Sequence, residues 1–344
     1  MMSSNQFSNL NVFQLNLNNN QSIIRLEDLP NELFYVLFNY LEIKDIYKSF
    51  FGLNLRFNIL FNSLSNCYLR IESSTKVDFI NMIASKIRHI HITQNSISIS
   101  LAPFRNTLHS LIIHLLTDEY IDQLHALMYL KRLEIRHIPQ HSIGHLRKVL
   151  FSSPQIKHLV LPFWHSKDLV IAYSSPYSIS SIHSLSMYSP NDLDDFASLL
   201  GRLPNLIRLR LDIDYIKVLP TVNGSLSNVF HSLSYFHLQL KNGFTYSQID
   251  FYLTHVPNLK SFRFFTAPCL IYRNQMGPYG VLNTLAEVIE KHLLILEQFS
   301  CFITFHMISN DLFDITKVNS IYNQNYSIKF ENNQEHFKSK WIKT

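Results

Sequence analysis

The sequence predicts an α/β solenoid, with parallel strands lining a concave side and helices on the convex side. Two observations predict it. A triplet of apolar residues spaced as L-x-x-L-x-L recurs at a near-constant pitch, and the stretches between triplets switch to an apolar period near 3.6. Length and composition agree: 344 residues, 47% of them hydrophobic, are too many for one simple compact domain and ample for a long stacked core.

The triplets fall at Ile87-Ile90-Ile92, Leu108-Leu111-Ile113, Leu130-Leu133-Ile135 and Ile156-Leu159-Leu161, then at Ile182-Leu185-Met187, Leu206-Leu209-Leu211, Leu233-Phe236-Leu238 and Leu259-Phe262-Phe264. Successive starts lie 21, 22, 26, 26, 24, 27 and 26 residues apart. Weaker copies flank the array at Leu64-Cys67-Leu69 and Leu296-Phe299-Cys301, and Pro154, Pro204 and Pro257 each stand two positions before a triplet. Alternating apolar positions make a short strand with one buried face. Between strands, Val77, Ile80 and Ile83 form one helical stripe, and Ile121, Leu124 and Leu127 a second. Further stripes run through Ile143, Leu146 and Leu150, through Leu193, Phe196, Leu199 and Leu203, and through Ile249, Leu253 and Val256. One strand plus one helix cannot bury its own apolar face, whereas stacked units can. An ordinary α/β domain is the alternative, but it has no need of a constant period. Pitch and signature resemble the leucine-rich repeats, in an irregular, helix-containing form that lacks the Asn of the commoner consensus.

Ahead of the array, residues 26–41 read Leu-Glu-Asp-Leu-Pro-Asn-Glu-Leu-Phe-Tyr-Val-Leu-Phe-Asn-Tyr-Leu. Asp28 is expected to sit at or near a helix N-cap, with Pro30 in an early position where its missing N–H costs nothing and Glu32 in the first turn, favourable to the dipole. Leu33, Val36/Leu37 and Tyr40/Leu41 form an apolar stripe. Asp45 is expected to start a second short helix carrying Ile46, Phe50 and Leu53. Such a unit is too thin to hide all its apolar surface, so it is expected to seek a partner.

This stretch resembles the F-box family, whose opening reads L-x-x-L-P-x-E-L, here Leu26, Leu29, Pro30, Glu32 and Leu33, followed by Leu37 and Leu41. Many members end the motif with Trp, where this chain has Phe57. The resemblance covers about 40 residues. It implies docking on the Skp adaptor of a Skp–cullin–F-box ubiquitin ligase through Leu29, Pro30, Glu32, Leu33, Leu37 and Leu41, with the following solenoid selecting the protein to be ubiquitinated. The alternative is a non-enzymatic leucine-rich scaffold whose N-terminal hairpin only caps the first repeat. The expected organisation is an Asn/Gln/Ser-rich disordered tail over 1–22, the F-box over 23–63, the solenoid over 64–308 and a cap and tail over 309–344, where residues 326–330 are expected to add one edge strand.

With the strand phase fixed by the triplets, the intervening residues point onto the concave face in three columns. The first runs His89, Ser110, Arg132, His158, Ser184, Arg208, Tyr235, Ser261. The second runs His91, Ile112, Glu134, Val160, Ser186, Arg210, His237, Arg263, and the third Thr93, His114, Arg136, Pro162, Tyr188, Asp212, Gln239, Phe265. Target binding is assigned to Arg132, Arg136, His158, Arg208, Arg210, Tyr235, His237 and Arg263. Arginine forks match carboxylate and phosphate oxygens, so an acidic or phosphorylated segment is the expected target; a generic solvated sheet face is the alternative.

Other chemistries find little support. Glycine numbers seven, about 2% against an average near 7%, and none are clustered to cradle a phosphate. No G-x-S-x-G, H-E-x-x-H or P-loop string occurs, so no enzyme, cofactor or catalytic residue is expected. Asp194-Asp195 and Asp212/Asp214 are carboxylate pairs without a motif. His89, His91, His114 and His158 share a face but have no recognised ligand spacing, and no metal site is expected. Cys67, Cys269 and Cys301 are too scattered for a disulfide framework, which suits a reducing compartment. A net charge of +5 is too mild for a nucleic-acid stripe, and no apolar run approaches the roughly 18 residues of a membrane span. The N-terminus lacks a basic and an apolar signal region, so a cytoplasmic or nuclear location is expected.

Overall fold

The computed structural model describes residues 26–93, 99–142, 145–146, 155–162, 181–189, 203–213, 230–241, 246–266, 285, 287–293, 295–303, 326–333 and 336–343. Ten consecutive strands pair in parallel and in sequence order: β1 (Cys67–Ile71), β2 (Ile87–Ile92), β3 (Ser110–Ile113), β4 (Arg132–Ile135), β5 (His158–Leu161), β6 (Ser184–Ser189), β7 (Arg208–Ile213), β8 (Tyr235–Leu240), β9 (Ser261–Thr266) and β10 (Gln298–Ile303). This is the leucine-rich-repeat type of solenoid, in which each rung adds beside the one before it. The two weak flanking copies are both rungs, β1 and β10.

The triplets explain the stacking. Leu69 and the second residues of the later triplets form one continuous row across the sheet, Leu69, Ile90, Leu111, Leu133, Leu159, Leu185, Leu209, Phe236, Phe262 and Phe299, each directly opposite the next. The first copy thus sits two residues later than Leu64-Cys67-Leu69, with Leu69 in the second place and Ile71 in the third. Every residue of the row is buried. Fully burying such a side chain contributes about 1.5–3 kcal/mol, so the row is the main cohesive element. The residue before each strand extends the ladder: His109 N–H donates to Arg88 at 2.8 Å, Lys131 to His109, Lys157 to Lys131 and His183 to Lys157, each at 2.9 Å. Short helices pack behind the strands, among them α4 (Val77–Ile83), α5 (Asp118–Leu124) and α6 (Tyr246–Thr254). The expected stripes are buried in α5 and α6, and in α4 Ile80 and Ile83 are buried while Val77, at the first position of the helix, is exposed. The Ile143 and Leu193 stripes lie largely outside the described residues.

Three helices precede the sheet: α1 (Asn31–Phe38), α2 (Ile43–Phe50) and α3 (Leu55–Ser63). Two expectations shift here. Pro30, not Asp28, is the N-cap of α1, and Asp28 instead ends a 3-10 turn. The second helix begins at Ile43 rather than Asp45, two residues earlier, with Asp45 in its first turn; it carries Ile46 and Phe50 but ends at Phe50, so Leu53 lies beyond it and is exposed. The three helices close around phenylalanines: Phe34 meets Phe57 edge-on at 5.0 Å, Phe38 meets Phe50 at 5.1 Å, and Phe50 meets Phe57 at 5.4 Å. Phe57, at the place where the F-box pattern often has Trp, is therefore core. Asn54 caps α3, its side-chain oxygen accepting from Phe57 N–H at 2.9 Å. Asn54→Ala should cost about 1 kcal/mol, read as a lower denaturant midpoint with an unchanged slope.

The helical unit is seated on the first rung. Tyr47 packs on Phe61 of α3 and on Phe79 of α4, at 5.6 and 5.1 Å. Lys44 bridges to Glu72 at 3.5 Å, and Lys86 donates to the Asn62 carbonyl at 2.7 Å. At the other end the expected single edge strand is an antiparallel hairpin, β11 (Tyr326–Asn333) and β12 (His336–Lys343). The later strand, β12, is the one placed against β10.

Candidate functional site

Helix α1 is apolar on nearly all sides, and the fold divides it. Phe34 and Phe38, four residues apart, face the core. Leu33, Val36, Leu37 and Tyr40 face away and stay 50%, 54%, 40% and 83% exposed. Leu26, Tyr35, Phe51, Leu53, Leu55 and Ile59 are exposed as well, so residues 26–59 hold ten of the nineteen large exposed hydrophobics among the described residues. Of the remaining residues expected to contact an adaptor, Pro30 and Glu32 are exposed, while Leu29 and Leu41 are half-buried and packed against the core. The segment before α1 is pinned by a residue that the sequence reading passed over. Arg56 donates to Asn31 Oδ1 at 2.9 Å and to the carbonyls of Glu27 and Leu29, with its guanidinium 5.4 Å above the Phe34 ring. Leu29 and Pro30 are thus held at the rim of the apolar face rather than free to fold over it.

The second candidate surface is the open face of the sheet. Two columns stand in register throughout: His89, Ser110, Arg132, His158, Ser184, Arg208, Tyr235 and Ser261 follow one another across β2 to β9, as do His91 through Arg263. Of the third, Tyr188, Asp212, Gln239 and Phe265 are paired, and Thr93, His114, Arg136 and Pro162 lie just past the ends of their strands. Three members do not reach solvent: Pro162, Asp212 and Ser261 are buried. The assigned arginines fall into two groups. In the first, Glu134 holds Arg132 at 3.2 Å and Arg136 at 3.3 Å, and Arg136 also lies 3.1 Å from His114. In the second, Arg210 grips buried Asp212 with two bonds, at 3.1 and 3.0 Å. Arg208 lies 4.9 Å over the Tyr235 ring. Arg263 is exposed and makes no ion pair or hydrogen bond with any described residue. A cavity of about 310 Å³ opens between the groups, lined by Glu134, Ile135, Arg136, Val160, Pro162 and Tyr188.

Burial disfavours the charged form of the histidines on this face. His237 stacks on Phe265 at 4.8 Å, and burial, with Arg210 and Arg263 on the adjoining strands, pushes its pKa down to about 4 against the opposing pull of Asp212. Burial also lowers His89, His91, His109, His114 and His158, with neighbouring cationic groups adding to the effect. His91 and His114 stack at 5.1 Å, and Tyr68 Oη lies 3.0 Å from His91 Nδ1. Among the described residues, no three His, Cys, Asp or Glu are grouped to hold a metal.

These shifts set a stability profile. The ordinary histidine value is 6.5 and the folded value of His237 is about 4. Between those values the unfolded chain takes up a proton that the folded chain refuses. Stability fully present above pH 6.5 is therefore lost as pH falls toward 4. Thermal melts should show Tm falling between pH 7 and 5, with a shallower fall in His237→Gln; a flat profile in the parent chain would defeat the assignment.

No family model matches the chain, and no curated protein matches it. Among solved structures, it is similar to an internalin from Listeria monocytogenes, with 13% identity and a TM-score of 0.33 over 76% of this chain and 89% of that one. No described helix is long and apolar enough to cross a membrane. The architecture is given by the ladder itself, ten parallel rungs in sequence order.

Proposed function

We propose that the chain is the substrate-recognition subunit of a Skp–cullin–F-box ubiquitin ligase, with the N-terminal helices docking on the Skp adaptor and the open sheet face holding the target protein. One observation carries the reading: from the last residue of the L-x-x-L-P-x-E-L motif onward, α1 turns Leu33, Val36 and Leu37 to solvent, with Tyr40 just past its end, although the same helix buries Phe34 and Phe38 on its other side. Contiguous exposed apolar surface marks an interaction site. The adaptor-facing set is Pro30, Glu32, Leu33 and Leu37, with Leu29 and Leu41 at the margin. In this reading the chain does no chemistry and works in the cytoplasm or nucleus, its part being to bring a target beside the ubiquitin-transfer machinery.

The scaffold reading also has an observation in its favour, since α2 packs on β1 and α4 as an end cap would. A cap needs only its inner face to be apolar. Capture of a purified Skp-type adaptor by the intact chain separates the two: saturable capture supports the ligase reading, and none leaves the scaffold.

A further inference from the structure

The two arginine groups on the open face offer different surfaces to a ligand. Around Glu134, a single carboxylate is shared by two guanidiniums and remains 16% exposed between them. An approaching anion would meet that carboxylate as well as the arginines. Around Asp212 the arrangement is inverted. The carboxylate is buried, 5% exposed, beneath Arg210, so cations alone face outward. The donors there are also unspent. Arg210 uses Nε and Nη2 on Asp212 and keeps Nη1, whereas Arg208 and Arg263 make no hydrogen bond with any described residue. Tyr235 holds the Arg208 guanidinium by its flat face, leaving the donor edge free.

Strand register places these groups around one spot. Arg208 and Arg210 are two residues apart on β7, about 7 Å, and Arg263 is two strands over, about 10 Å from Arg210. His237 lies directly between Arg210 and Arg263, and its Nε2 is buried without a partner. Arg210 is held in place on one side of it by Asp212, and the unheld Arg263 arm can close from the other side. Two free forks and a spare Nη1 outnumber what a carboxylate with two oxygens can accept, whereas a phosphate monoester brings three acceptor oxygens and up to two charges.

We infer that Arg208, Arg210 and Arg263, around His237 on β7 to β9, form a receptor for a phosphorylated serine or threonine on a partner polypeptide, and that Arg132 and Arg136 take no part. The inference rests on the reading of the open face as the target-holding surface, but not on adaptor docking.

The test uses the intact chain at low ionic strength, with N-acetyl-phosphoserine amide as probe and N-acetyl-glutamate amide as its carboxylate match. His237 ring resonances, assigned by their loss in His237→Gln, report binding. The phosphoserine probe should shift them saturably, with the glutamate probe weaker by about tenfold, the difference expected for losing one charge-assisted fork. Arg263→Glu, on an exposed side chain, should weaken phosphoserine binding by at least about tenfold, while Arg132→Glu/Arg136→Glu should leave it within about twofold. Absence of a saturable shift, equal binding of the two probes, or equal losses in the two charge reversals would overturn the assignment. Adaptor capture, measured on the same Arg263→Glu chain, should be unchanged, so loss of one activity is not mistaken for loss of the other.

Discussion

Leu33→Asp/Leu37→Asp should abolish capture of a Skp-type adaptor by the intact chain while leaving its thermal melt where it was. Both side chains sit on the outer side of α1 and lie half in solvent, so an aspartate at either place meets water rather than core. In a complex, the same positions would be desolvated at the centre of an apolar patch, where each anchor is commonly worth 2 kcal/mol or more. Two buried carboxylates without partners add a desolvation cost on top of the lost contacts. A fall in affinity of at least about a hundredfold is expected, or roughly 2.7 kcal/mol. Phe34→Asp is the matched contrast: it lies one residue away, is buried, and should unfold the helical unit. If the Leu33/Leu37 pair lowered Tm as Phe34→Asp does, the outer face would be packing within the chain and not docking. If Tm held and capture persisted, the adaptor would engage some other surface.

How much of this was legible in the sequence depended on whether one pattern had a single solution. The rungs did. L-x-x-L-x-L fixes the two-residue phase of a strand, and a one-residue slip would send Leu133, Leu159 and Leu209 to solvent, so the columns from His89 to Arg263 could be written down before the fold was seen. The degenerate copy around Cys301 keeps its expected register, whereas the one around Cys67 is set two residues later, with a register shift between Cys67 and Tyr68. Helix α1 had no single solution. Leu33, Phe34, Val36, Leu37 and Phe38 are apolar on almost every side, and periodicity alone could not say that Phe34 and Phe38 would turn inward; the choice is made by Phe50 and Phe57 from the next two helices. The C-terminal hairpin escaped for the opposite reason. His336–Lys343 alternates only loosely, with Phe337, Trp341 and Ile342 among three lysines, and it is positioned by the exposed edge of β10, a feature that no local pattern records.

The concave face shows the same divide at the level of charge. Arg132-x-Glu134-x-Arg136 places three charged side chains on one side of one strand, so the shared carboxylate could be foreseen from spacing. That Asp212 would be buried while Glu134 stays partly open could not. Both carboxylates stand between buried residues, Leu133 and Ile135 for Glu134 and Leu211 and Ile213 for Asp212, so local spacing does not separate them; Asp212 stands one column further along its strand, beneath Arg210.

Phe262→Ala should destabilise the chain by about 3–5 kcal/mol, and unevenly along its length. Phe236, Phe262 and Phe299 occupy the same row of three adjacent rungs and stack at 5.6 Å on both sides of Phe262, with interplanar angles of 29° and 19°. Truncation removes these ring contacts and a third with Phe264 at 6.1 Å, as well as the buried area of one ring, and the adjoining phenylalanines cannot all close into the space. In a stacked array, stability is a sum of rung terms and nearest-neighbour terms, so the loss is concentrated at β8, β9 and β10. Hydrogen exchange should therefore speed up sharply at amides in those three strands and little in β1 to β4. The same substitution reaches function by a definite route: Arg263 and Tyr235 stand on the two loosened strands, whereas the α1 face stands at the far end. Phosphoserine binding should weaken while adaptor capture stays intact. Uniform acceleration across all ten strands would mean instead that the array folds as one cooperative block, with its two surfaces coupled through the core.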